Sequence, residues 1–235
     1  MKPIDPSADS PFRALLSETD WMSLPPAARA RFSHKVRDGE SVLYRGQTTH
    51  LRMSRLGRLI AQAARLIGAP LPLDAKAERR PAIVAVTDDP SGAGQIWTRV
   101  YARRRGFPQM VNSVKKFAGP TGLEEHVGGG VSMSLALSVE AGALLFRSVD
   151  YYFTAFGRRF ILPRALTPGA MTIGHHDLGA CAFLFTLTLK HPLFGVLIEQ
   201  TTVFKDMEES HDRRSRLESH RAADALWSER HALAS

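Results

Sequence analysis

Residues 131–153 read VSMSLALSVEAGALLFRSVDYYF. In the first part Val131, Met133, Leu135, Leu137 and Val139 alternate with Ser132, Ser134, Ala136 and Ser138. A period of two with one apolar and one small polar face is the pattern of a half-buried strand. Glu140-Ala141-Gly142 then offers a turn, and Leu144 to Phe153 returns as a long second strand. A hairpin of this length predicts an antiparallel sheet.

The same reading extends to both sides. Towards the C-terminus, Phe183, Phe185, Leu187 and Leu189 alternate within 182–189, His191-Pro192-Leu193-Phe194-Gly195 turns, and Val196 to Phe204 is the last strand. Towards the N-terminus, short strands are expected at 123–127, 110–117, 95–101, 83–87 and 42–47. Asp88-Asp89-Pro90-Ser91-Gly92 and Gly128-Gly129-Gly130 supply turns between them. The glycine triplet has no Lys-Ser/Thr after it and no βαβ unit around it, so it is not a phosphate loop. Residues 158–177 read as irregular, because Leu162-Pro163 and Thr167-Pro168-Gly169 break long elements.

One stretch has helical period. Over 51–67, Met53, Leu56, Ile60, Ala63 and Ile67 recur at three and four, with Arg52, Arg55, Arg58 and Arg65 opposite and Gly68 as a stop. Short helices are expected after Ser10-Pro11 and Pro25-Pro26. The fold class predicted is α+β: a strongly bent antiparallel β-sheet of seven to nine strands, half-barrel or closed being left open, packed on the amphipathic helix and the short N-terminal helices. Residues 1–206 form its one domain. Residues 207–235 change to charged composition and read as a helical or disordered tail.

Composition bounds the function. The chain has 235 residues with 44% hydrophobic and 23% charged side chains, enough for a real core. One cysteine, Cys181, excludes an internal disulfide and any paired-cysteine metal or redox motif. In its apolar strand context it reads as a buried thiol. No apolar run is long enough for a membrane helix, and the polar N-terminus lacks secretory character, so the expected location is cytoplasmic. The first 119 residues hold 20 Lys and Arg against 10 Asp and Glu, whereas the remainder holds 11 against 13. Such asymmetry suits an anionic partner or a solvated basic surface. Nucleic acid is not expected, since no recognition motif appears and aromatic side chains do not interleave the basic ones. The arginines of 51–67 are compatible with peripheral membrane contact.

The ordered motifs carry a resemblance. Arg45-Gly46, Gly68-Ala69-Pro70, Trp97-Thr98-Arg99, Ser113, Glu125-His126-Val127-Gly128, Leu162-Pro163 and the last Phe-rich hairpin follow in order. Over residues 12–205 the chain resembles the uncharacterised bacterial family called domain of unknown function 4166 (DUF4166). The resemblance implies no activity, cofactor or catalytic residue. It implies an oxidoreductase partner, since members occur alone or joined to dehydrogenase-like domains. The chain departs from the family pattern at His175-His176, where an acidic residue is common, and at Gln200-Thr201-Thr202, where a Tyr-x-Gly pattern is usual.

Candidate site residues follow from strand parity. Trp97 and Arg99 share one face of their strand. If that face is inward, Arg99 is a buried cation needing a partner, and Glu125 is the best one. The pair is either a structural ion pair, or Arg99 meets the anionic head of a ligand while Trp97 stacks on its apolar part. Tyr151, Phe183 and Phe185 either fill the core or line an apolar cavity. His175, His176, Asp177 and His191 lack the spacing of a known metal motif, so no metal is expected. The leading expectation is a domain binding a hydrophobic or amphipathic small molecule or lipid without a cofactor. Alternatives are an enzyme using Glu125 with a histidine as acid and base, and an accessory module for an oxidoreductase.

Overall fold

The computed structural model describes residues 10–207, apart from 34–35, 37–40 and 92–93. The alternating run at 131–139 lies in one of eleven strands among these residues. They are β1 (Ser41–Met53), β2 (Pro81–Asp88), β3 (Gly94–Tyr101), β4 (Gln109–Lys116), β5 (Glu124–Gly128), β6 (Val131–Glu140), β7 (Ala143–Ala155), β8 (Arg158–Ile161), β9 (Ala170–Gly179), β10 (Ala182–His191) and β11 (Gly195–Asp206). The helices are α1 (Glu18–Ser23), α2 (Pro26–Ser33) and α3 (Arg55–Ala63), with single 3-10 turns at Arg13–Leu15, Ala64–Ile67 and Arg164–Leu166.

The strand order is β6-β5-β4-β3-β2-β1-β11-β10-β9-β7, and β7 pairs back onto β6. Ten antiparallel strands thus close a barrel, and β8 is an extra strand hung on β7. This corrects the α+β expectation. A sheet that closes on itself covers its inner face with its own side chains and leaves no broad face for a helix layer.

Closure depends on β9, in the stretch read as irregular. Met171, Ile173 and His175 point inward from it, interleaved with Thr172, Gly174 and His176. Long β7 makes room for it. One edge of β7 pairs with β6, while the other is shared between β9, at Leu144–Arg147, and β8, at Tyr152–Ala155.

The helix expected over 51–67 is also corrected. Leu51 to Met53 belong to β1, opposite Gln200 to Ile198. Ser54 then caps α3 by accepting from the Gly57 amide at 2.9 Å. The α-helix ends at Ala63, the chain continues as a 3-10 turn, and Gly68 closes it at φ 99°. Gly57 lets α3 lie directly on β11, since a Cβ there would stand 2.2 Å from the Leu197 carbonyl oxygen.

The two barrel ends differ. At one end the N-terminal segment forms a plug. Phe12 and Phe32 are buried, Phe12 lies edge-on to Phe117 and Phe146, and Phe32 lies edge-on to His175 at 5.1 Å. At the other end α3, the chain up to Leu73 and the stretch 162–168 form a rim. Gln109 fastens that rim: its Nε2 donates to the Ala69 and Leu71 carbonyls at 2.9 and 2.8 Å, and its Oε1 accepts from Leu73 N.

Cys181 corrects another expectation. It sits in the two-residue turn between β9 and β10 with Ala180, both at positive φ, and is exposed rather than buried. Among the described residues no helix is long and apolar enough to cross a membrane. The charged stretch beyond Met207 lies outside the described residues.

Candidate functional site

β4 presents Lys115, Ser113, Val111 and Gln109 inward, in that order from the plugged end to the rim. Three of the four are polar, which is unusual for the inside of a small barrel. Their partners come from the adjacent strands. On β3, Arg99 donates from Nη1 to Ser113 Oγ at 3.1 Å and from Nη2 to Glu125 Oε1 at 3.2 Å. Ser113 Oγ donates to the same Glu125 oxygen at 2.6 Å. Lys115 Nζ pairs with Glu125 Oε2 at 2.9 Å. Arg99, Ser113, Lys115 and Glu125 are all buried.

The electrostatics of this group are lopsided. Two cations converge on one carboxylate. Although burial alone would raise it, Lys115, Arg99 and the Ser113 hydroxyl hold the Glu125 carboxyl down at about 2. Burial pushes the Lys115 ammonium down, and Arg99 adds to that against the opposing pull of Glu125. The cluster carries one formal positive charge that no side chain within it balances. The Lys115 ammonium also lies 5.1 Å from the Trp97 ring centroid and 5.5 Å from that of Phe146.

Below this layer, toward the plug, lies an aromatic cage around His175. The rings of Phe32, Trp97, Phe146, Phe183 and Phe185 have centroids 5.1–6.2 Å from the imidazole. Burial, then the positive field of Arg31, Lys115, Arg99 and His176, keeps His175 well below its ordinary range. It is a neutral core ring. His176 lies on the opposite face of β9 and His191 at the far end of β10. Among the described residues no group of three or more His, Cys, Asp or Glu is placed to hold a metal ion.

Above the polar layer the side chains do not fill the barrel. A cavity of about 450 Å³ lies between it and the rim. Val111, Val127, Met133, Met171, Ile173, Leu187 and Leu189 wall it, and Arg99, Ser113, Glu125, Tyr101 and Gln200 give it polar groups. Tyr151 closes one side, its hydroxyl donating to the Gly169 carbonyl at 3.0 Å. Ile60, Leu66, Ile67 and Pro70 face Leu162, Leu166 and Pro168 at the mouth.

Of the candidate residues taken from the sequence, Arg99, Glu125, Tyr151 and Phe185 line the cavity. Trp97 and Phe183 lie beneath it, in the wall of the His175 cage. Glu125 forms no hydrogen bond or ion pair with a histidine among the described residues. An acid–base role asks for a raised carboxyl pKa, and the geometry produces the reverse. Adjacent His126 points to the other face, half-buried against Glu124 at 3.3 Å. Sequence reasoning passed over Lys115, Gln109 and the rim. For Lys115 there was a signal: of two consecutive lysines on a strand, one must face inward.

A family model described as Domain of unknown function (DUF4166) matches residues 24–204. No curated protein and no solved structure matches the chain.

Proposed function

Because the chain belongs to the DUF4166 family, whose name carries no activity, we propose a function from the cavity itself: the barrel binds one amphipathic organic anion, apolar tail in the upper barrel and acidic head at Arg99. The observation that carries this reading is the unbalanced buried cation at the floor of an otherwise apolar cavity of about 450 Å³. A volume of that order is within the range of small-molecule sites, and the lining has their usual composition, apolar walls with a few convergent polar groups. Arg99 has N–H groups to spare beyond those used on Ser113 and Glu125. An incoming carboxylate or phosphate would balance the second cation and relieve the pressure on Lys115. An uncharged ligand gains only the apolar contacts.

The test is a pair of probes, oleate and its uncharged glycerol monoester, titrated into delipidated protein by calorimetry. Oleate is expected to bind one per chain and at least about tenfold more tightly than the ester, the least that a charge-assisted hydrogen bond contributes. Arg99→Leu should remove that preference while the ester binds as before. Equal affinity for the two probes, or binding to neither, sinks the reading. Organic extraction of protein purified from its own host, with native mass spectrometry, would identify the resident molecule.

A further inference from the structure

The turns at the rim end share two properties. They expose large apolar side chains, and they are basic. Leu66 on the 3-10 turn after α3, Phe107 between β3 and β4, Phe156 between β7 and β8, Leu166 before β9, and Leu193 and Phe194 between β10 and β11 all stand in solvent. The alternation of the strands puts all these connections at one end of the barrel. The same connections and α3 carry Arg58, Arg65, Arg103, Arg104, Arg105 and Arg164. None forms a salt bridge with another described residue. Asp74 and Glu78 lie on this side too, Asp74 accepting from the Arg104 amide at 2.7 Å. The plugged end is mixed in charge, and its acids are paired in part: Arg13 with Glu18, Arg31 with Asp206 and Arg147 with Glu140.

The backbone at Phe156 gives a second indication. Phe156 and Gly157 form the two-residue turn between β7 and β8, with φ of 52° and 71°. That turn takes Asn or Gly at its first position, because a bulky side chain in the left-handed region is strained. Here a phenylalanine occupies it and its ring is fully exposed. Neither the turn nor solubility gains from that choice. A partner that buries the ring does.

We propose that the rim is a membrane-docking face, which seats the cavity mouth on an anionic phospholipid bilayer. Aromatic and leucine side chains at turn tips enter the interface, and the arginines around them meet lipid phosphates. Leu66 and Leu166 border the cavity mouth itself, so a docked barrel opens onto the bilayer and an amphipathic ligand passes between them without crossing water. That last step rests on the proposed ligand function; the docking does not.

The experiment is co-sedimentation of the full chain with phosphatidylcholine vesicles, with and without phosphatidylglycerol, at low and high salt. The expected result is binding to the anionic vesicles alone, weakened by salt. Phe107→Ser with Phe156→Asn should lower the partition coefficient at least about tenfold, since each removes a buried phenyl ring from the bound state. Phe156→Asn alone should raise the melting temperature, so lost binding cannot be blamed on lost folding. Absence of binding to anionic vesicles overturns the proposal, as does binding that the double variant leaves unchanged. Self-association of the wild type that the double variant abolishes, with no vesicle binding, would assign the face to a second copy instead and likewise overturns it. Oleate titration of the same variants in solution separates the two ideas. Intact oleate binding without docking refutes the docking alone, and docking without oleate binding refutes the ligand.

Discussion

Lys115 Nζ stands 2.9 Å from Glu125 Oε2 while Arg99 holds the other carboxylate oxygen from across the barrel wall. The two cations are not equivalent to their anion. Replacing Glu125 with Leu leaves both cations buried without their anion, and breaking a buried pair this way costs about 3–5 kcal/mol. Replacing Lys115 with Met removes the surplus charge and leaves Glu125 with Arg99 and Ser113, so stability should change by less than about 1.5 kcal/mol. Denaturant unfolding of the two variants checks the order. A Lys115→Met protein as unstable as Glu125→Leu would refute the view that one cation is in excess.

The histidine under this cluster gives a pH dependence of definite sign. His175 has a folded pKa well below 6.5, caused first by burial and then by Arg31, Lys115, Arg99 and His176. Below pH 6.5 the unfolded chain takes up a proton that the folded chain refuses. The stabilisation is therefore complete above pH 6.5 and is lost as pH falls toward the folded value. Glu125 acts in the same direction in a lower window, from its ordinary 4.5 down to about 2. Melting temperature should fall from pH 6.5 to about 5 in the wild type, and that slope should flatten in His175→Phe, whose ring suits the aromatic cage. An unchanged slope would assign the upper window to other groups.

How far the sequence announced this fold varies strand by strand. The hairpin of β6 and β7 was legible because serines mark one face of β6 and Ala141-Gly142 make its turn, at φ of 48° and 75°. β9 was hidden. Its inward row ends in a histidine, and Gly174 stands in the middle of the strand, where a Cβ would meet Thr186 Oγ1 at 2.6 Å. Without β9 the sheet has two free edges, and closure cannot be inferred. The pairing of β7 with both β6 and β9 is a long-range fact that no local pattern encodes. The helix prediction overran at its start because Met53 fits the helical stripe of Leu56 and Ile60 as well as it fits the strand alternation with Leu51 around Arg52. In the site, strand parity was enough to place Arg99 and Trp97 on one face and to suggest Glu125. Parity could not reveal the void above them, which depends on which residues fail to fill the barrel.

Gly57 supports a prediction against ordinary helix propensity. In an exposed helix interior, Ala in place of Gly gains about 1 kcal/mol. In α3 the added methyl would stand 2.2 Å from the Leu197 carbonyl oxygen and 3.2 Å from the Ile198 side chain. The helix must lift from β11, and overpacking of this kind costs about 1–3 kcal/mol. Gly57→Ala should therefore lower the melting temperature. A rise would mean that α3 is not seated on the barrel as described.

The cavity itself can be probed by filling it. Val111 is buried, on β4, and lines the cavity of the upper barrel. A phenylalanine there enters open volume rather than a packed layer, so its dispersion contacts offset the rearrangement and stability should change by less than about 1 kcal/mol. The same enlargement at fully buried Leu135, which the cavity does not reach, should cost about 1–3 kcal/mol. Val111→Phe should also lower the amount of oleate bound per chain, because the new ring occupies the space of the tail. Thermal melts and calorimetric titration of the two variants together are decisive. If Val111→Phe destabilises as much as Leu135→Phe, the upper barrel is packed and no ligand cavity exists. If it is tolerated and oleate still binds undiminished, the cavity is real but the tail does not lie against β4.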